Sequence, residues 1–106
     1  MNLHRPSPEP TELDIARWLV KELPNGDRHL VGLALGEGRV SSKIVTFDST
    51  TMTFTTNTGR TYHARLGGSA FNITAAYVWD CWCSVYKITE SKDVTEEYDP
   101  DEGDLS

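Results

Sequence analysis

No run of apolar residues in this chain approaches the roughly 18–20 needed to cross a bilayer, so no membrane span is expected. The N-terminus lacks the basic-then-apolar pattern of a secretory signal. Cysteine is also scarce: Cys81 and Cys83 are the only two, separated by Trp82. A disulfide between residues two apart would be strained, and two cysteines are too few for a secreted framework. Both read as reduced and structural, and the expected compartment is the cytoplasm.

Catalytic residue types are thin as well. The three histidines are His4, His29 and His63. A general base needs a partner within hydrogen-bond reach, and His63 has only Thr53 opposite it in the register derived below. Zinc sites favour C-x₂-C spacing with a second pair. A lone C-x-C on a helix would point its sulfurs about 200° apart. Gly67-Gly68-Ser69-Ala70 lacks the spacing and the lysine of a phosphate loop. No metal, cofactor or catalytic residue is expected, and the reading is non-enzymatic.

Charge is unevenly placed. The net charge is −6, yet residues 93–106 hold seven acids and no base. The other 92 residues hold nine acids and ten bases, so the body is near neutral. Blocks of like charge read as solvated tails or interaction arms. Pro6, Pro8 and Pro10 mark residues 1–10 as a disordered lead-in. One domain is therefore expected over 11–92, with an acidic tail over 93–106.

What is present is chiefly β-pattern. Residues 51–56 and 61–66 alternate polar and apolar, the period of a half-buried strand. Asn57-Thr58-Gly59 between them suits a three-residue hairpin loop with Gly59 left-handed. That loop pairs Thr56 with Arg60, Phe54 with Tyr62, Thr53 with His63 and Met52 with Ala64. Residues 40–47 form a preceding strand, with a turn at Asp48-Ser49-Thr50. If Phe47 opposes Met52, Val45 joins the inner face, and Ile44 lies on the outer face needing cover.

Upstream, Asn25-Gly26 between apolar runs signals a hairpin, with residues 28–35 as its second strand and Gly36-Glu37-Gly38 as the next loop. Thr11 with Asp14 resembles a helix cap, so a turn of helix is admitted at 11–15. Residues 72–86 change period. Ala75, Val78, Trp79, Trp82, Val85 and Tyr86 share one helical face, opposite Asp80, Ser84 and Lys87. Tyr77, Trp79, Cys81, Cys83 and Val85 also alternate as in a strand, and the clustering of Asp80 and Ser84 favours the helix.

The resulting fold class is α+β: a five-stranded antiparallel meander, curled into a half-open small barrel and packed against one C-terminal amphipathic helix. Its Trp18, Trp79 and Trp82 serve the core or anchor a partner.

Three segments, Arg28-His29-Leu30-Val31-Gly32, then 39–48, then Thr55-Thr56-Asn57-Thr58-Gly59-Arg60-Thr61-Tyr62, resemble a β-meander pattern. It occurs in short uncharacterised bacterial and phage proteins. The resemblance covers roughly half the chain and implies no activity, cofactor or catalytic residue. It does imply a bacterial or phage setting, in which small acidic proteins often block a host machine.

The functional expectation is a protein-binding module, in its sharpest form a phage-type inhibitor of a nucleic-acid-binding complex. The alternative is a small-ligand or single-stranded nucleic-acid binder using the sheet face. Candidate partner-binding residues are Lys43, Ile44, His63 and Arg65 on the outer face, with Asp99, Asp101 and Glu102 in the tail. Direct nucleic-acid binding is disfavoured, because it relies on positive charge and the sequence pI is near 4.9. Exposed sheet edges leave a homodimer open.

Overall fold

The structure, a computed structural model, describes residues 11–65 and 73–98. Period-2 alternation decides the first strand. Along Glu12-Leu13-Asp14-Ile15 the residues are in turn exposed and buried, and β1 (Glu12–Glu22) runs straight through them. The helical turn expected at 11–15 is absent; the alternation outweighs the cap-like Thr11 and Asp14. Pro24-Asn25-Gly26-Asp27 forms the expected turn, with the Asn25 side-chain carbonyl accepting the Asp27 N–H at 2.9 Å. Then follow β2 (Arg28–Ala34), β3 (Glu37–Asp48), β4 (Thr53–Thr56) and β5 (Thr61–Ala64). Helix α1 spans Ile73–Tyr86, and a short β6 (Lys92–Asp93) leads into a 3₁₀ turn at Thr95–Glu97.

Five antiparallel strands in sequence leave the first and last pointing the same way. A ring of five can therefore close only through a parallel pair. Here β1 provides it: Glu12, Leu13, Asp14 and Ile15 pair in parallel with Thr61, Tyr62, His63 and Ala64 of β5. From Ala16 onward β1 pairs antiparallel with β2. The handover is a bulge, since Ala16 opposes Leu33 but the next pair is Leu19 with Val31. Arg17 takes a left-handed φ of 51° there. A bulge sharpens strand twist, which lets one strand serve two neighbours. The expected half-open sheet is thus a closed ring of strands.

The helix does not plug an open side. The ring interior is filled by its own side chains: Ile15, Trp18, Val20, Leu30, Phe54 and Tyr62 are fully buried. Aromatic residues remove about 150–250 Å² each from water and dominate such a core. Trp18 turns inward just after the bulge, and its indole N–H donates to the Arg65 carbonyl at 3.0 Å across the β1–β5 seam. Helix α1 lies instead on the outside of β2 and β3. Its Ala75, Trp79, Trp82 and Cys83 form a second cluster with Leu23, Val31, Val40 and Ile88. The approach is close: a Cβ at Gly38 would stand 2.9 Å from a Val78 methyl.

The β4–β5 hairpin has the expected register, with Phe54 opposite Tyr62 and Thr53 opposite His63. Gly59 has a φ of 92°, as its loop requires. The β3–β4 register differs from expectation. Phe47 opposes Phe54, not Met52. A second bulge lies between Ile44 and Thr46, so the alternation changes phase there. Ile44 therefore packs against the ring core, and Val45 turns outward, 50% exposed. The question of what covers an outward Ile44 disappears.

Residues 93–98, grouped by composition with the acidic tail, are built into the body. Val94 and Thr95 are buried. The Val94 N–H donates to the Val20 carbonyl at 2.9 Å, and the Val20 N–H donates to the Thr95 hydroxyl at 2.9 Å. Residues 1–10, the Gly67-Gly68-Ser69 stretch and residues 99–106 lie outside the described residues.

Candidate functional site

The sheet places the expected outer-face residues in two groups. His63 and Arg65 stand at the β1–β5 seam beside acids of β1. The His63 Nε2 lies 3.1 Å from a Glu12 carboxylate oxygen. A carboxylate only accepts, so this nitrogen carries the proton. His63 Nδ1 meets the Thr53 hydroxyl at 3.1 Å. Arg65 reaches Asp14 at 3.9 Å. Parallel pairing sets Glu12 and Asp14 opposite Thr61 and His63, which is why acid and base meet there. Both pairs are largely solvent-exposed, and such pairs contribute little energy.

Lys43 and Ile44 stand at the other end of the hairpin. The Lys43 carbonyl accepts the Asn57 N–H at 2.9 Å, and Ile44 pairs with Thr56. Thr56 is three residues along β4 from the Thr53 that faces His63, about 10 Å at strand rise. The Lys43 ammonium contacts Asp27 at 3.8 Å. The four expected positions do not converge, and Asp99, Asp101 and Glu102 fall outside the described residues.

The densest polar network lies where the chain's last described turn meets the sheet. Arg28 donates from Nε to Glu22 at 3.0 Å, and from Nη1 to Glu97 at 2.8 Å and to the Tyr98 phenol oxygen at 2.7 Å. These bonds hold the Arg28 guanidinium well above its ordinary value, Glu97 contributing most and Tyr98 next. The Arg28 hydrogen bond in turn holds the Glu22 carboxyl below its ordinary range. Tyr98 packs edge-on against Phe47, ring centroids 5.1 Å apart. The network ties the start of the acidic segment to β1 and β2.

The helix supplies the surface that the sequence reading missed. In its 14 residues Asp80 is the only formal charge. Ala75 and Trp79 are its buried residues. On the opposite side Ile73, Tyr77, Cys81 and Val85 recur every fourth residue and so line up along the axis. Ile73 is 74% exposed, Tyr77 67% and Val85 70%. Val85 therefore does not share the buried face to which its spacing assigned it. The i+4 spacing was present in the sequence, but a helix apolar nearly all round offers two stripes and does not say which is covered.

Cysteine chemistry on the helix is divided. Cys81 is exposed and Cys83 half-buried, and both are free. Burial, then the nearby Asp80 carboxylate, pushes the Cys83 thiol up, away from thiolate reactivity. A hydrogen bond with Cys81 raises the Tyr77 phenol. Among the described residues no group of three or more His, Cys, Asp or Glu side chains is placed to hold a metal ion. Nor, among them, is any helix long and apolar enough to cross a membrane.

No protein-family model, curated protein or solved structure matches the chain.

Proposed function

We propose that this protein is a non-enzymatic binding module whose partner docks on the outward face of α1. The observation that carries this reading is the stripe of Ile73, Tyr77 and Val85, each at least two-thirds exposed on a helix with a single charge. A solvated helix face normally carries several charged residues, and contiguous exposed apolar groups mark interaction sites. Tyrosine is enriched at binding hot spots.

The partner's chemistry follows from charge. The chain carries −6 overall, concentrated beyond residue 92. A partner with an apolar patch rimmed by lysine and arginine complements it. The sharpest form is a bacterial or phage inhibitor of a nucleic-acid-binding protein, acting in the cytoplasm, with carboxylates standing in for phosphate charge. The engagement of both His63 ring nitrogens by Glu12 and Thr53 supports a structural histidine instead of a catalytic one.

The test is affinity capture from the native host, followed by titration of the captured partner at two salt concentrations. Wild-type protein binds with salt-dependent affinity. Tyr77→Glu places a charge in the stripe and abolishes binding while the melting temperature holds. Binding equally tight to Tyr77→Glu and to an Ile73→Asp variant removes the helix face from the function. Light scattering of the purified protein decides whether a second copy is that partner.

A further inference from the structure

A second surface, on the other side of the same helix, has the makings of a small-molecule site. It is an open cleft between the C-terminal turns of α1 and residues of β2, β3 and the β4–β5 turn. Its volume is about 480 Å³, within the roughly 300–1,000 Å³ of ligand sites. The floor is His29, Val40 and Ser41, the aromatic wall is Trp82 and Tyr86, and the facing wall carries Asp27, Ser42, Lys43 and Asn57.

The recess has a structural cause. Between the pairs His29–Lys43 and Val31–Val40, β3 carries an extra residue. The Leu30 N–H turns to the Ser41 hydroxyl at 2.9 Å instead of to a ladder carbonyl.

The wall is a ladder of rings stepping outward. Trp79 stacks on Trp82, centroids 5.1 Å apart and planes 11° from parallel. Trp82 meets Tyr86 at 4.7 Å, and His29 packs on Trp82 at 4.8 Å. Trp79 is buried, Trp82 half-buried, and Tyr86 60% exposed. The outermost rings therefore offer apolar faces to whatever enters.

The polar wall has capacity to spare. His29 is buried, and its Nδ1 lies 2.9 Å from the Ser41 carbonyl. A carbonyl only accepts, so Nδ1 donates to it. Asn57 is exposed, and its side-chain amide is both donor and acceptor. The Lys43 ammonium meets Asp27 at 3.8 Å, and it has three donors.

The charge of the lining selects the ligand. Asp27 and Lys43 cancel, and no other lining residue bears a fixed charge. A phosphate would need net positive charge and a cation net negative charge, and the lining offers neither. What remains is an uncharged ligand with one apolar face and many hydroxyls. A pyranose has both, because its axial C–H bonds pack on an aromatic face while hydroxyls donate to carboxylate and accept from amide and ammonium. Gluco-configured rings have all ring hydroxyls equatorial and so present the flattest C–H face.

We infer that this cleft binds an uncharged, gluco-configured sugar, stacked on Tyr86 and Trp82 and hydrogen-bonded by Asp27, Lys43 and Asn57. The site is independent of the outward helix face, which uses Ile73, Tyr77 and Val85.

Titration of the full chain with cellobiose, followed by two-dimensional NMR, tests it. The expected result is a saturable shift of the Trp82 indole N–H and the Asn57 side-chain amide. Asn57→Ala removes a hydrogen bond from a surface residue and weakens binding by about tenfold. Tyr86→Ala weakens binding comparably, and both variants keep the wild-type melting temperature. The inference fails if cellobiose leaves the cleft signals unmoved, if it shifts signals elsewhere only, or if Tyr86→Ala binds as well as wild type. It also fails if a short oligothymidine saturates the same signals and cellobiose does not, since the rings would then be a nucleobase platform.

Discussion

At Gly32 a single methyl group decides whether the ring can close. A Cβ there would lie 2.9 Å from the Ala16 carbonyl oxygen and 3.0 Å from the Trp18 Cα, both backbone atoms of the β1 bulge. Backbone cannot swing aside as a flexible side chain can. Gly32→Ala is expected to destabilise the fold by about 1–3 kcal/mol, the usual cost of overpacking. Chemical denaturation should show a lower midpoint with an unchanged slope. Glu22 carries a different sensitivity. Its carboxyl is held low by Arg28 in the folded state, so its stabilising effect is complete above the unfolded glutamate value of about 4.3. That effect is lost as pH falls through the lower folded value. Glu22→Gln should therefore lower stability by more at pH 7 than at pH 3. Denaturation midpoints at the two pH values measure the difference.

Among the elements, the sequence told most where a local pattern met a turn that allows only one register. The β4–β5 hairpin was legible to the residue because Asn57-Thr58-Gly59 and the flanking alternation agree. Two inserted residues defeated the same reasoning elsewhere. The bulge after Ile44 changed which of Ile44 and Val45 faces inward, and the bulge at Arg17 hid the closure of the ring. A bulge leaves no composition signal at Arg17 or Val45; tertiary pairing imposes it. The parallel pairing of residues 12–15 was visible as alternation, but strands so far apart in sequence cannot be matched from one chain. The helix was found with nearly its observed limits, and its outward stripe was not, because its exposed Val85 and buried Trp79 are both apolar. Of the candidate site, Lys43, Ile44, His63 and Arg65 were legible as strand positions, whereas their separation required the register.

For the whole molecule, the acidic end is two things joined at Tyr98. Up to that residue it is architecture: Val94 and Thr95 are buried, and Tyr98 packs on Phe47 and Phe54. Deleting residues 94–106 should cost at least about 2 kcal/mol, since it strips a buried valine and much of a tyrosine from the fold. Deleting 99–106 removes none of these contacts. In a partner assay, it should weaken binding and flatten its salt dependence. Comparing the two truncations by calorimetry separates folding from recognition. A truncation at residue 92 alone would confuse them.

The parallel seam also sets an order of events in time. The β4–β5 hairpin joins residues no more than ten apart, while ring closure must bring Glu12 to Thr61. Contacts between distant residues form late, because the loop they close must be ordered first. The seam should therefore be absent from the folding transition state and act as a latch on the finished ring. Leu13→Ala removes a buried seam residue and should accelerate unfolding with refolding nearly at the wild-type rate. Stopped-flow kinetics over a range of denaturant would show one limb of the chevron move and the other stay. How long a folded copy persists is then governed by four residue pairs contributed by the first and last strands of the ring.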